Sequence, residues 1–124
     1  AKADKGTETS HGMIPIHRLQ SAKDFRALFR LGRRRETRLF KLTVLPNRFS
    51  YSRFAFIASK IVDKRAVVRN RLRRRCREWI RVHFLPSSGS GMDIAIFFKK
   101  DARTATKKEF YNDLANLLQY NTEK

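Results

Sequence analysis

Apolar positions along the chain change period several times, and each change marks an element. Phe25, Leu28 and Phe29 recur three and four residues apart, which places them on one face of a helix. Ser21 is a good N-cap. Asp24 follows three residues on, where a carboxylate favours a helix N-terminus. Gly32 supplies the stop. From spacing alone, Phe25 and Phe29 read as core residues. Upstream, Ile14-Pro15-Ile16 predicts an extended entry, because Pro biases its neighbour towards β space. Arg33-Arg34-Arg35 is expected in the turn after the helix. The period then drops to two in residues 37–45 (TRLFKLTVL). Phe40, Leu42 and Val44 point one way and Lys41 and Thr43 the other, as in a half-exposed strand. Pro46-Asn47 ends it, and residues 47–52 form a polar loop. In residues 53–59 (RFAFIAS), Phe54 and Phe56 share one face and Ala55 and Ile57 the other. These two strands are expected to pair as an antiparallel hairpin.

Residues 64–81 (KRAVVRNRLRRRCREWIR) return to the helical period. Val68, Leu72, Cys76, Trp79 and Ile80 form one stripe, and Asn70, Arg74, Arg77 and Arg81 lie opposite. Arg69 and Arg75 flank the stripe, with Arg71 and Arg73 between the faces. The helix should end near Phe84, ahead of Pro86 and a Ser/Gly run over 87–91. Residues 92–98 (MDIAIFF) are almost continuously apolar, the mark of the most buried strand. Lys99-Lys100-Asp101 closes it. Thr106 and Glu109 have the types and spacing of a capping box. The helix they open carries Phe110, Leu114, Leu117 and Leu118 on one stripe and should fray after about Tyr120.

The order helix, strand, strand, helix, strand, helix predicts an α+β fold, a single-domain two-layer sandwich with room for one more short strand. Residues 1–13 are polar and aperiodic and read as a disordered tail. Residues 14–120 read as the domain and 121–124 as a frayed end. No internal repeat is present.

Charge narrows the function. The 124 residues hold 29 Lys and Arg against 11 Asp and Glu, a net charge of +18. Such an excess points to a polyanion, nucleic acid ahead of membrane. No apolar run approaches the roughly 20 residues of a membrane span, and no secretory leader is visible. The single cysteine excludes an internal disulfide and fits a reducing cytoplasm. On the basic helix, like charges at i, i+4 cost roughly 0.2–0.5 kcal/mol per pair. Arginine forks suit phosphate, which would relieve that repulsion.

Catalytic constellations are missing from the pattern. There is no HxxxH, HExxH or CxxC pair, no phosphate-cradling glycine loop and no DxD pair for two-metal cleavage. Neither catalytic nor metal-binding residues are expected in the protein itself. His17 and His83 are the only pair that could serve a metal-independent ribonuclease by acid–base chemistry. A general RNA- or DNA-binding module, ribosomal or architectural, also fits the charge.

The segment AVVRNRLRRRCRE, residues 66–78, resembles the RNR signature of the bacterial ribonuclease P protein subunits, approximately A-V-x-R-N-R-x-K/R-R-x-x-R-E. HRLQSAKDFRALFRLGRR resembles the opening of the same family, and TRLFKLTVLP and RFAFIASK its next two strands. The likeness spans about residues 17–120. It implies a subunit that assists a catalytic RNA in removing the 5′ leader of precursor tRNA, with magnesium held by that RNA and no obligate protein partner. It also implies a left-handed βαβ crossover, where the usual hand is right. By resemblance, Arg69, Asn70, Arg71, Arg73, Arg74 and Arg77 contact the catalytic RNA. Phe25 and Phe29 line a cleft for the single-stranded leader, where rings stack on bases with little sequence preference. Arg18, Arg38, Lys41 and Lys60 are expected beside them. The chain departs from the pattern at Thr43, where some relatives have an aromatic, and at Ser59-Lys60-Ile61.

Overall fold

In a computed structural model, residues 16–84 and 91–122 are described. The expected tail, residues 1–13, and most of the Ser/Gly breaker lie outside them. In chain order the elements are β1 (His17–Arg18), α1 (Ala22–Leu31), β2 (Arg33–Glu36), β3 (Phe40–Pro46) and β4 (Arg53–Ile57). Then come α2 (Ala66–Trp79), a π turn (Ile80–Phe84), β5 (Met92–Phe98), α3 (Lys100–Thr104) and α4 (Lys107–Thr122).

The strands form one five-stranded sheet in the order β1-β4-β5-β3-β2. β5 is central because nearly every residue in it is apolar, so it needs cover on both faces and partners on both edges. It pairs antiparallel with β3 and parallel with β4. The expected β3–β4 hairpin therefore does not form: β5 lies between them. Residues 47–52 bridge two strand spacings, about 9.6 Å, which a loop of that length spans easily. The true hairpin is β2–β3, with Arg33 opposite Val44 and Glu36 opposite Lys41. Arg33-Arg34-Arg35 is thus an edge strand rather than a turn, and its charges suit an exposed edge.

The pairings make β1, β2, β4 and β5 mutually parallel. Two crossovers result, β1–α1–β2 and β4–α2–β5. Both move across the sheet in the same direction, over opposite faces. Their hands are therefore opposite, and one of the two is left-handed.

Register divides the sheet into two faces. Leu42, Val44, Phe54, Ile94, Ile96 and Phe98 meet Val68, Leu72 and Cys76 of α2 and Phe110, Leu114, Leu117 and Leu118 of α4 in the main core. The α4 stripe is buried as its spacing predicts. Burial pushes the Cys76 thiol pKa far up, leaving an inert core residue. On the other face, Leu28 of α1 covers Ala95, with Phe25, Phe29, Ala55, Ile57 and Phe97 packed around them. Thr43, expected to be exposed, is buried there because α1 crosses β3.

The local capping signals form the bonds their spacing predicts. The Asp24 N–H donates to Ser21 Oγ (3.4 Å). In the capping box, the Thr106 N–H donates to Glu109 Oε1 (2.9 Å) and the Glu109 N–H to Thr106 Oγ1 (3.1 Å). Gly32 ends α1 for a different reason than expected. Its backbone is extended (φ −73°, ψ 161°), so no left-handed cap is involved. A Cβ there would lie 2.5 Å from the Leu28 carbonyl oxygen and 2.8 Å from Thr43 Cγ2. Close approach of α1 to β3 excludes any side chain. Helix α3 has no counterpart in the periodic pattern; it turns the chain from β5 towards α4. Asp113 of α4 accepts from Thr37 Oγ1 (2.5 Å) and the Leu39 N–H (3.0 Å), tying the last helix to the start of β3.

Candidate nucleic-acid interface

Helix α2 buries its apolar stripe and turns its arginines outward, but not uniformly. Asn70, Arg71 and Arg74 are exposed. No described acidic side chain pairs with Arg71 or Arg74. Arg69 folds back, donating from Nη1 to the carbonyls of Asp63 and Lys64 (both 2.9 Å). Asn70 Oδ1 accepts from Arg73 Nη1 (2.7 Å), so the amide between the arginines aims the next guanidinium. Arg75 lies over the Phe110 ring (5.3 Å) and Arg77 over Phe56 (5.7 Å). Burial, then the charge of Arg69, lowers the Arg73 pKa. Burial, then Arg81 and Arg18, lowers that of Arg77. Each carries unfavourable charge energy that a phosphate would relieve.

Arg81 departs from its expected place on the outer face. The π turn from Ile80 to Phe84 adds a residue to the helical turn and rotates the residues beyond it. Arg81 is thereby buried, bonded to Glu78 Oε2 (2.7 Å), while Val82 faces out.

On the opposite side of the sheet, beside α1, lies a patch of aromatic rings. Phe25 and Phe29 stack at 5.7 Å, and Phe29 meets Phe97 at 5.7 Å. All three rings are half-buried, so they pack and still offer surface. Phe97 is not among the residues that the sequence pattern singles out; its alternation with Ala95 and Asp93 within an apolar run is the signal that marks its face. Arg34 Nη2 donates to the Phe29 carbonyl (2.7 Å) and steadies the end of α1. Lys41 is exposed on the same face, opposite Phe97 in the register.

The other expected cleft residues lie elsewhere. Arg18 pairs in register with Phe54 and so belongs to the α2 face, where its charge reaches Arg77. Arg38 is exposed near Asp101 (3.9 Å), where β3 begins. Lys60 lines an open depression with Asp63, Lys64, Arg65, Lys100 and Arg103, next to the start of α2. There Asp63 is gripped by Arg65 Nη2 (3.0 Å) and approached by Arg103 (3.6 Å). His17 and His83 are not brought together: their ring partners are Tyr51 (4.0 Å) and Trp79 (4.8 Å).

One face thus carries the arginines of α2, and the other a patch of half-buried aromatic rings beside α1. The ribonuclease P family model matches residues 13–121, almost the whole of the described chain. The chain belongs to the ribonuclease P protein family. The ribonuclease P protein component of Microcystis aeruginosa is 36% identical over 111 residues, covering 86% of this chain and 92% of that protein. That of Chromobacterium violaceum is 31% identical over 103 residues, covering 83% and 80%. Among solved structures, the ribonuclease P protein of Staphylococcus aureus superimposes with a TM-score of 0.76 at 25% identity, covering 85% of this chain and 94% of that one. That of Thermotoga maritima gives 0.74 at 25% identity, covering 84% and 96%.

As a ribonuclease P protein component, the chain is part of a ribonucleoprotein endoribonuclease of tRNA 5′ processing, with the ribonuclease P RNA as its partner. Among the described residues no helix is long and apolar enough to cross a membrane.

Proposed function

We propose that the two faces divide the work. The exposed side of α2 binds the phosphate backbone of the ribonuclease P RNA, and the cleft beside α1 receives the single-stranded 5′ leader of precursor tRNA. In this reading magnesium and the cleavage chemistry belong to the RNA, in the cytoplasm. The observation that carries it is Arg71 and Arg74, exposed side by side with no described acid against them. Arg69, Asn70 and Arg73 set the edge of that surface, and Arg77 its border with the sheet. The half-buried ring faces of Phe25, Phe29 and Phe97, with Lys41 near, support sequence-tolerant contact with a leader. Arg18, Arg38 and Lys60 serve the RNA through the field around the sheet ends rather than inside the cleft.

Reconstitution tests this. With ribonuclease P RNA and precursor tRNA at low magnesium, added protein should speed 5′ leader release, and protein alone should be inert. Arg71→Ala/Arg74→Ala should weaken binding of the RNA. Phe25→Ala/Phe29→Ala should weaken holoenzyme binding of long-leader precursor while leaving mature tRNA unaffected. Unchanged binding in both double variants would refute the division.

A further inference from the structure

A second set of rings lies outside the cleft. The Arg53 guanidinium is 4.8 Å from the Phe49 centroid. Phe49 stacks on Tyr51 at 5.2 Å and 18°. Tyr51 meets His17 at 4.0 Å and 33°. Phe49 and Tyr51 are 40% and 39% exposed, and His17 is exposed too. These rings are not among those packed around Phe25, Phe29 and Phe97, although Arg53 also reaches Asp24 at the start of α1 (3.2 Å). Arg53 grips Asp93, whereas the cleft uses Phe97. Four residues of β5 separate those two positions, about 13 Å.

The rings are exposed although their loop is held firmly. The Asn47 carboxamide accepts from the Phe49 N–H (2.8 Å) and donates to the Tyr51 carbonyl (3.3 Å) and to Asp93 Oδ1 (2.8 Å). Gly91 is pressed so closely beneath that a Cβ there would lie 2.2 Å from Asn47 Oδ1 and 2.3 Å from the Phe49 carbonyl oxygen. The loop entropy is therefore already lost, and a ligand would not have to order it. Neither core cluster uses these rings.

We propose that His17, Tyr51 and Phe49 form a stacking site for an unpaired RNA nucleotide, separate from the α1 cleft. Rings ordered in a rigid loop are what sequence-tolerant stacking requires. The electrostatics favour RNA over an apolar peptide. Residues 47–52 contain no acid, and Arg48 is exposed among them. The nearby carboxylates of Asp93 and Asp24 both bond to Arg53, which offsets one of their two charges and holds both away from the exposed ring faces. Arg48, exposed in the same loop as the rings, is the cation placed to meet the nucleotide's phosphate. The proposal rests on RNA being the partner, not on the leader occupying the cleft. The nucleotide comes either from the ribonuclease P RNA or from the precursor leader.

The test uses full-length His17→Ala/Tyr51→Ala and the ring-preserving His17→Phe/Tyr51→Phe. Each is titrated against ribonuclease P RNA alone and, as reconstituted holoenzyme, against precursor tRNA with a long or a short leader. The alanine pair should weaken one titration about 5- to 150-fold, the worth of a base stack, and the phenylalanine pair should restore it. Loss against the RNA alone assigns the nucleotide to the catalytic RNA. Loss confined to the long leader assigns it to the substrate. If the alanine pair does not fold, His17→Ala alone removes just the exposed end of the ladder and gives the same reading. Unchanged binding throughout, or equal loss in the alanine and phenylalanine pairs, would overturn the site. If Arg71→Ala/Arg74→Ala still weakened RNA binding in that case, the proposed function would stand without it.

Discussion

The Arg53 guanidinium holds the buried Asp93 carboxylate at two points, Nε to Oδ1 at 2.9 Å and Nη2 to Oδ2 at 2.7 Å. Its third nitrogen reaches Asp24 of α1 at 3.2 Å, so one side chain joins two sheet strands to the helix that carries Phe25 and Phe29. The bond to Asp93 raises the Arg53 pKa. Removing one partner of such a pair leaves an uncompensated buried charge and costs about 3–5 kcal/mol. Arg53→Met should lose that much in urea unfolding. Asp93→Asn in the same background should recover part of it, because a buried amide costs less than a buried carboxylate. A loss below about 1 kcal/mol, the range of a solvated ion pair, would show that water reaches Asp93.

Gly32→Ala decides between two effects of opposite sign. At an ordinary extended backbone, alanine in place of glycine stabilises by about 0.4–1 kcal/mol through the unfolded chain. Here the added Cβ meets two backbone oxygens and Thr43 at 2.5–2.9 Å. Overpacking of about 1–3 kcal/mol should win. Thermal unfolding gives the sign, and a raised Tm would mean that α1 can lift off β3 freely.

The arginines of α2 should separate by experiment. Arg71→Ala/Arg74→Ala should leave urea unfolding unchanged and reduce the slope of log K against log salt for RNA binding by about 2. Arg69→Ala should instead destabilise the fold by about 1–3 kcal/mol, since its guanidinium satisfies two carbonyls ahead of the helix. Equal effects of the two changes on stability would contradict this division.

Acid should act partly through Asp63. Bonds from the Arg65 side chain and backbone hold its pKa well below the ordinary 3.8. A carboxylate depressed in the folded state contributes stability that is fully present above its unfolded pKa. That contribution is lost as pH falls towards the folded value. The protein should therefore lose stability below about pH 4. Asp63→Asn should be less stable at neutral pH and show a shallower acid limb in pH-dependent unfolding. An acid limb of unchanged slope would mean that other carboxylates account for it.

Much of the molecule is legible along the chain because local rules govern it. Ser21, the Thr106–Glu109 box and the stripes of α2 and α4 depend on neighbours within one or two turns. The RNR signature can be read for the same reason: it is contiguous and lies on one helix. The cleft is only half legible. Phe25 and Phe29 share a helix face, but their partner Phe97 comes from a strand 68 positions beyond Phe29 in the sequence. Its face depends on register. Arg18 falls outside the expected cleft for the same reason, because a one-residue shift in a strand exchanges the two faces of a sheet.

The sequence by itself determined the α+β class, the helices and their buried stripes, the phosphate-seeking charge and the family. Each is written in residue type and short-range period. Only the tertiary structure decided that β5 would separate β3 from β4 and that the three arginines after Gly32 would become an edge strand. It also decided that one crossover must be left-handed and that Arg81 would turn inward after the π turn. These outcomes depend on which apolar surfaces find cover. β5 could be buried on both faces and both edges only at the centre of the sheet, and the rest of the chain took the places that remained.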